Sequence, residues 1–78
     1  MYQELSALVV EFRLAAGLSQ KDLARRIGVA PKFIARIEEN SRGLLIPEFI
    51  AILRAVGVDP VQGFKAFQRR VGKGSADG

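Results

Sequence analysis

Glycine and proline divide this chain into short segments, and the apolar residues inside the segments recur at helical spacing. No segment sustains the alternation of apolar and polar residues that is typical of a half-buried strand. The first helical stripe consists of Leu5, Leu8, Val9 and Phe12. A chain punctuated in this way predicts an all-α domain of five short helices joined by tight turns.

The punctuation also predicts where the first two helices begin and end. The first helix is expected over residues 3–16, and Gly17 suits the position after its end because glycine readily adopts a positive φ. The second helix is expected to begin at Ser19, whose hydroxyl can cap it, with Asp22 placed to complete a capping box. Gly28 is expected to end the second helix.

Each of the three remaining helices has a proline where its first turn should lie. A first-turn N–H has no partner in the helix, so proline is tolerated there. Pro31 and Pro47 are expected to open the third and fourth helices, and Asp59 with Pro60 the fifth. Gly57 is expected to close the fourth helix. The buried stripe of the fourth helix is predicted to consist of Ile50, Leu53 and Val56.

Length and composition limit both the architecture and the chemistry. The 78 residues suffice for one compact domain, which we assign to residues 1–71. Residues 72–78 contain no apolar residue larger than alanine and are predicted to form a disordered tail. Cysteine and histidine are absent, which excludes disulfides, zinc sites built on those ligands and the usual groups of acid–base catalysis. We therefore expect no enzyme, no metal and no cofactor.

Positive charge is in excess and is concentrated in the middle of the chain. Twelve Lys and Arg residues oppose eight Asp and Glu residues, which gives a net charge of +4. Residues 20–42 hold six basic and three acidic residues. This balance favours a polyanionic partner, nucleic acid before an acidic membrane, although a merely soluble basic protein is equally compatible with the charge.

Membrane insertion and export are not indicated. No apolar run approaches the roughly 18 residues that a membrane span needs. The start of the chain has no basic segment of the kind found in signal peptides. We expect a cytoplasmic protein, associated with the nucleoid if its partner is DNA, and no membrane partner.

Residues 20–38 have the composition of two helices joined by a tight turn. Ala24 is small at the point where two such helices would cross closely, and Gly28 and Val29 lie in the turn. Ile34 and Ile37 are spaced to anchor the second helix inward. The start and outer face of that helix would then be free to enter a DNA major groove.

Two longer runs carry a resemblance to a known family. GLSQKDLARRIGV followed by FIARIEEN resembles the Cro/C1-type (XRE-like) helix-turn-helix family, a five-helix lambda repressor-like domain, over about residues 5–68. IEENSRGLLIPEFIAILRAVGVDPVQGF is similar to the controller proteins of restriction–modification systems. The resemblance implies a homodimer that binds paired palindromic sites in double-stranded DNA. It also implies regulation of its own promoter, by activation at low occupancy and repression once a second site fills.

The same resemblance implies a DNA-binding role for seven residues, and Lys21 is added to them because it lies in the basic stretch of residues 20–42. Gln20 corresponds to a glutamine that contacts phosphate, and Arg42 to a loop arginine that reaches the DNA. Asn40 and Ser41 correspond to polar residues that bond phosphate or shape the loop. The full set is Gln20, Lys21, Lys32, Phe33, Arg36, Asn40, Ser41 and Arg42.

One position departs from the family pattern. Residue 31, often a polar or arginine side chain that reads bases, is proline here, and Ala30 before it also lacks a side-chain donor. Direct readout would then depend chiefly on Lys32, Arg36 and Arg42. DNA shape and loop contacts would carry more of the specificity.

Several residues near this surface leave alternatives open. Phe33 could pack against the domain or contact the DNA backbone or a thymine methyl group. Glu38 is expected to be structural rather than base-reading, with Arg13 as its candidate partner. Arg25 and Arg26 are expected to form an ordinary solvated helix face.

The fifth helix is more apolar than a terminal helix needs for its own core, and the loop before the fourth helix adds further apolar residues. Exposed apolar patches of this kind mark interfaces. We predict an isologous two-fold dimer, with intramolecular packing of the same residues as the alternative. The predicted interface consists of Leu44, Leu45, Ile46, Phe64 and Phe67.

A second function is compatible with the same fold. A helix-turn-helix domain can lose DNA readout and serve as a protein-interaction module, such as an antitoxin or an anti-activator. Ala30 and Pro31 favour this alternative, whereas Gln20, Arg36 and Arg42 oppose it. An activating role would add RNA polymerase as a partner, although no surface for it is evident in the sequence.

Overall fold

The computed structural model describes residues 2–74, with side chains for residues 3–72, and this part of the chain contains five helices and no strand. The predicted all-α, five-helix architecture is confirmed. The helices are α1 (Tyr2–Ala15), α2 (Gln20–Ile27), α3 (Pro31–Glu38), α4 (Ile46–Ala55) and α5 (Pro60–Gly74).

The capping box predicted at the start of α2 is present. The Asp22 backbone N–H donates to Ser19 Oγ at 3.0 Å, and the Ser19 N–H donates to Asp22 Oδ2 at 3.2 Å. These hydrogen bonds, chiefly the one from the Ser19 backbone, lower the pKa of the Asp22 carboxyl. The stabilisation is therefore present at neutral pH and is lost as the pH falls through that lowered pKa.

A tight turn at Gly28 joins α2 to α3. Gly28 has a φ of +78°, a conformation that is costly for residues with a Cβ. Its N–H donates to the Arg25 carbonyl at 3.3 Å, and the Val29 N–H donates to the Ala24 carbonyl at 2.9 Å. This Schellman motif ends α2 and allows α3 to begin at Pro31, as predicted.

The core lies where α1, α2, α3 and α4 meet. Ala24, at the predicted helix crossing, is fully buried, as are Ile34 and Ile37. Every buried apolar residue belongs to a single cluster. Its members are Leu8, Val9, Leu23, Ala24, Ile34, Ile37, Phe49, Ile52 and Leu53.

The buried stripe predicted for α4 is confirmed at Leu53 and wrong at Ile50 and Val56. Phe49, Ile52 and Leu53 are buried, whereas Ile50 and Val56 are only partly buried. Both sets have helical spacing, so periodicity within α4 could not separate them. The choice is made by α5, which brings two aromatic rings onto Phe49.

The last helix packs on α4 through those rings and through a glycine. The ring of Phe49 meets those of Phe64 and Phe67 edge-on, at centroid separations of 5.3 and 6.5 Å. Gly63 is buried, and a Cβ added to it would clash with the Leu53 side chain. The absence of a side chain at Gly63 therefore allows α5 to approach α4 closely.

The end of α5 differs from the predicted boundary of the domain. The helix continues to Gly74, three residues beyond Val71. The rest of the predicted tail, residues 75–78, lies outside the described residues.

Substitution Gly63→Ala should destabilise the domain. Overpacking against Leu53 costs about 1–3 kcal/mol, which exceeds the gain of about 0.5–1 kcal/mol from replacing a helical glycine. Gly72→Ala is the matched control, because Gly72 lies in the same helix with open space around it. Urea denaturation should show a loss for Gly63→Ala and no loss for Gly72→Ala. Equal stabilities would mean that the close approach does not matter.

Candidate nucleic-acid interface

One face of α3 is buried and another is free. Ile34 and Ile37 anchor the inner face in the core, and their exposed fractions are 0% and 1%. Lys32 and Arg36 are exposed, and neither side chain has an ion pair or hydrogen bond within residues 2–74. Pro31 stands at the start of the helix, and Ala30 gives it no side-chain cap. An uncapped helix start beside free cations is suited to phosphate.

The end of α3 is fixed by an ion pair at Glu38. Arg13 Nε donates to Glu38 Oε2 at 2.6 Å and Arg13 Nη2 to Glu38 Oε1 at 3.0 Å. The Arg13 and Glu38 side chains are only 12% and 7% exposed. Arg13 Nη1 also donates to the Leu18 carbonyl at 2.9 Å. The predicted partnership is confirmed, and it ties α3 to α1 and to the turn before α2.

Gln20, predicted to contact phosphate, is part of the same network. Its Nε2 donates to Glu38 Oε1 at 2.8 Å, and the residue is half-buried. A side-chain amide has two N–H donors, so a phosphate contact would use the one that Glu38 leaves. Glu38 therefore positions Gln20 as well as α3.

Asn40 and Ser41 form the turn that follows α3. Asn40 has a φ of +62°, which asparagine tolerates better than most residues. The Asn40 N–H donates to the Ile37 carbonyl at 3.1 Å, and the Ser41 N–H donates to that of Arg36 at 2.9 Å. Both residues are exposed and shape the loop. Their contact with phosphate stays a prediction.

Ser6 is a positioning residue that the sequence did not reveal. It is the buried polar residue of α1, and its Oγ donates to the Ile37 carbonyl at 2.7 Å. This bond ties α1 to the last turn of α3, at a carbonyl that also accepts from the Asn40 N–H. A serine among apolar positions of the first helical stripe was the available signal.

Arg42 is folded back against α3 and α4. Its guanidinium carbon lies 4.4 Å from the centroid of the Phe33 ring, within the range of a cation–π contact. Its Nη2 lies 3.5 Å from Glu48 Oε2. Phe33 thus packs against the domain and Arg42 at once. Glu48 was not singled out from the sequence, although its place three residues after Leu45 is that of a capping-box carboxylate.

A shallow groove connects α2 with the start of α3. It has a volume of about 260 Å³ and is lined by Lys21, Arg25 and Pro31, among others. Lys21 and Arg25 are exposed. Lys21 therefore lies beside the uncapped start of α3.

Arg26, on the same helix as Lys21, has a structural role. Its Nη1 donates to the Ala55 carbonyl at 2.9 Å, at the end of α4.

The predicted dimer residues divide into two groups. Leu45 and Ile46 are 63% and 58% exposed. Leu44, Phe64 and Phe67 are partly buried against the core, so the alternative of intramolecular packing applies to part of their surface. Val61 is 57% exposed at the start of α5 and was not predicted.

Comparison with known proteins settles the family. The family model HTH_3, described as helix-turn-helix, matches residues 9–62. An XRE-family like protein from Pseudomonas syringae pv. tomato str. DC3000 shares 36% identity over 88% of this chain and 84% of its own, with a TM-score of 0.81. This chain belongs to the XRE-type helix-turn-helix family of DNA-binding regulators.

The chain is also similar to a restriction–modification controller protein. A mutant form of the controller protein C.Esp1396I is 29% identical over 92% of this chain and 94% of its own, with a TM-score of 0.84. The same controller protein, solved as a tetramer in complex with its natural 35 base-pair operator, is 29% identical over 87% of this chain and 90% of its own, with a TM-score of 0.80. No curated protein matches this chain significantly.

The family consists of regulators rather than enzymes. Within the described residues, no helix is long and apolar enough to cross a membrane. The same part of the chain contains no group of three or more acidic residues that could hold a metal ion.

Substitution Glu38→Ala should destabilise this XRE-type domain by about 3 kcal/mol, because it leaves the nearly buried Arg13 guanidinium without its carboxylate. Glu39→Ala is the control, since Glu39 is the exposed neighbour and has no ion pair in the described part of the chain. Its effect should stay within about 0.5 kcal/mol. Guanidinium denaturation measures both. A loss below about 1 kcal/mol for Glu38→Ala would contradict the anchoring role.

Proposed function

We propose that this protein is a homodimeric, sequence-specific transcription regulator that binds palindromic operator DNA and controls its own promoter. The observation that carries the proposal is the contrast between the two faces of α3. Its inner face is buried through Ile34 and Ile37, and its end is clamped by Glu38, while Lys32 and Arg36 stay unpaired. A cation kept free on a rigid helix is available for DNA.

The proposal assigns two kinds of contact. Lys32 and Arg36 reach into the major groove, where arginine pairs with guanine through two hydrogen bonds. Gln20, Lys21, Asn40 and Ser41 contact phosphate at the edges of the site. The operator-bound controller protein supports double-stranded DNA as the partner. A regulator of this kind would act in the cytoplasm, at the nucleoid.

A dimer is supported by the exposed apolar residues near the starts of α4 and α5. Leu45, Ile46 and Val61 are each more than half exposed, and burying them would contribute about 25 cal/mol per Å² of apolar surface. In a two-fold dimer the α3 helices of the two subunits, which would be the recognition helices, should lie about 34–36 Å apart, one turn of DNA. Occupancy of a second site would then supply the switch between activation and repression.

The alternative of a protein-interaction module is favoured by one observation. Pro31 and Ala30 place no side-chain donor at the start of the recognition helix. Such a module would bind DNA weakly and without preference for any fragment. DNA binding therefore separates the two functions.

The DNA immediately upstream of the gene should contain a protected site with two-fold symmetry. Footprinting at two salt concentrations should show affinity falling by about 10³–10⁵ between 50 and 200 mM salt if the dimer neutralises about 6–10 phosphates. Failure to protect any fragment in this assay or in a genomic selection would favour the protein-interaction module.

Substitution Arg36→Ala should weaken operator binding by at least about tenfold, corresponding to about 1–3 kcal/mol for a lost base contact. Lys65→Ala is the matched control, because Lys65 is an exposed cation on α5 and carries the same charge. Equal effects of the two changes, measured by fluorescence anisotropy, would show that only net charge matters and that α3 does not read the DNA.

Substitution Ile46→Glu or Val61→Glu should shift the dimer toward monomer, raising its dissociation constant more than about tenfold. Leu14→Glu is the control, because Leu14 is 61% exposed but lies on α1. Sedimentation at micromolar concentration distinguishes the variants. A wild-type protein that is monomeric at high micromolar concentration would refute the dimer.

A further inference from the structure

Glu48 contacts both the loop that follows α3 and the start of α4. The proposed function requires these two parts of the molecule to act together. Its Oε1 accepts a hydrogen bond from the Leu45 backbone N–H at 2.9 Å, at the start of α4. Its Oε2 faces Arg42 Nη2 at 3.5 Å. The Arg42 and Glu48 side chains are both partly buried, so water and salt screen their attraction less than that of a surface pair.

Arg42 links Glu48 to α3 through its contact with Phe33. Its guanidinium lies over the Phe33 ring, and its Nη1 is buried without a hydrogen-bond partner in the described structure. An unpaired buried N–H gives nothing to hold the side chain in place. The orientation of Arg42 therefore depends on Phe33 and Glu48.

We propose that Glu48 is a positioning residue for DNA recognition. Through Arg42 and Phe33 it fixes the recognition helix and the loop of residues 39–45 relative to the start of α4. Leu45 and Ile46, beside Glu48, belong to the proposed dimer interface. The inference rests on the proposed function, since it connects the DNA-reading surface of each subunit to the contact between subunits.

The consequence is a rigid spacing between the two recognition helices. A palindrome with one fixed half-site separation is recognised well only if each helix is held firmly relative to the two-fold axis. Glu48 need not touch DNA to influence this fit. Its loss should loosen the link without unfolding the domain.

Substitution Glu48→Gln isolates the ion pair from the helix cap. Glutamine can still accept from the Leu45 N–H, as in capping boxes that use it, but it carries no charge for Arg42. Glu39→Gln is the matched control, because it removes the same charge from an exposed residue next to α3 that has no ion pair in the described part of the chain. Both variants should keep nearly the wild-type melting temperature.

The probe is the DNA fragment immediately upstream of the gene, or the fragment recovered by genomic selection. Glu48→Gln should weaken its binding by about three- to tenfold, within the usual range for coupled neighbours. Glu39→Gln should leave binding unchanged or slightly stronger, since it removes a charge that phosphate repels. In an Arg42→Ala background, Glu48→Gln should change the affinity less than about twofold.

Duplexes with one base pair inserted between the half-sites add a second readout. The loss of affinity caused by the insertion should be smaller for Glu48→Gln than for the wild type. If the wild type binds but Glu48→Gln behaves like Glu39→Gln, or binds more tightly, the positioning role is overturned and the proposed function stands. An undiminished effect in the Arg42→Ala background also overturns it. If the wild type binds no DNA fragment at all, the proposed function fails, and the positioning role fails with it.

Discussion

The ion pair between Arg13 and Glu38 is the interaction on which the arrangement of this domain depends most. Helix α3 has eight residues, too few to be stable in water without tertiary contacts. Ile34 and Ile37 bury one face of it, but burial alone fixes neither its tilt nor its end. Glu38 fixes both, because its carboxylate binds Arg13 of α1 and accepts a hydrogen bond from Gln20 at the start of α2. The outer face can then remain free of intramolecular contacts.

The partners of the cations show which positive charges remain available to another molecule. Arg13 is paired inside the domain, Arg26 bonds a carbonyl at the end of α4, and Arg70 pairs with Glu11 between α5 and α1. Lys32 and Arg36 have no such partner in the described part of the chain. Lys21 on α2 is likewise exposed without an ion pair in this part of the chain, so α2 and α3 together present unpaired positive charge to solvent. Exposed cations such as Arg54 and Lys65 also lie on α4 and α5.

Much of this organisation could be predicted from the sequence because local rules determine it. The capping box at Ser19, the turn at Gly28 and the proline starts depend on neighbours within a few residues, and the structure contains each of them. The register of α4 could not be predicted, since Phe49 is selected by rings that α5 supplies. The capping place of Glu48 was legible in the sequence, but its contact with Arg42 was not. Its partner Arg42 is six residues away, and only the folded loop brings them together.

The outer face of α3 is the surface that we propose to bind DNA. The most direct test is to follow the backbone amide signals of the isotope-labelled protein by nuclear magnetic resonance during titration with the upstream DNA duplex. We expect the largest changes at residues 32–36 and at the start of α2, with little change along α1 and α5. Changes confined to α1 and α5, with α3 unaffected, would contradict it.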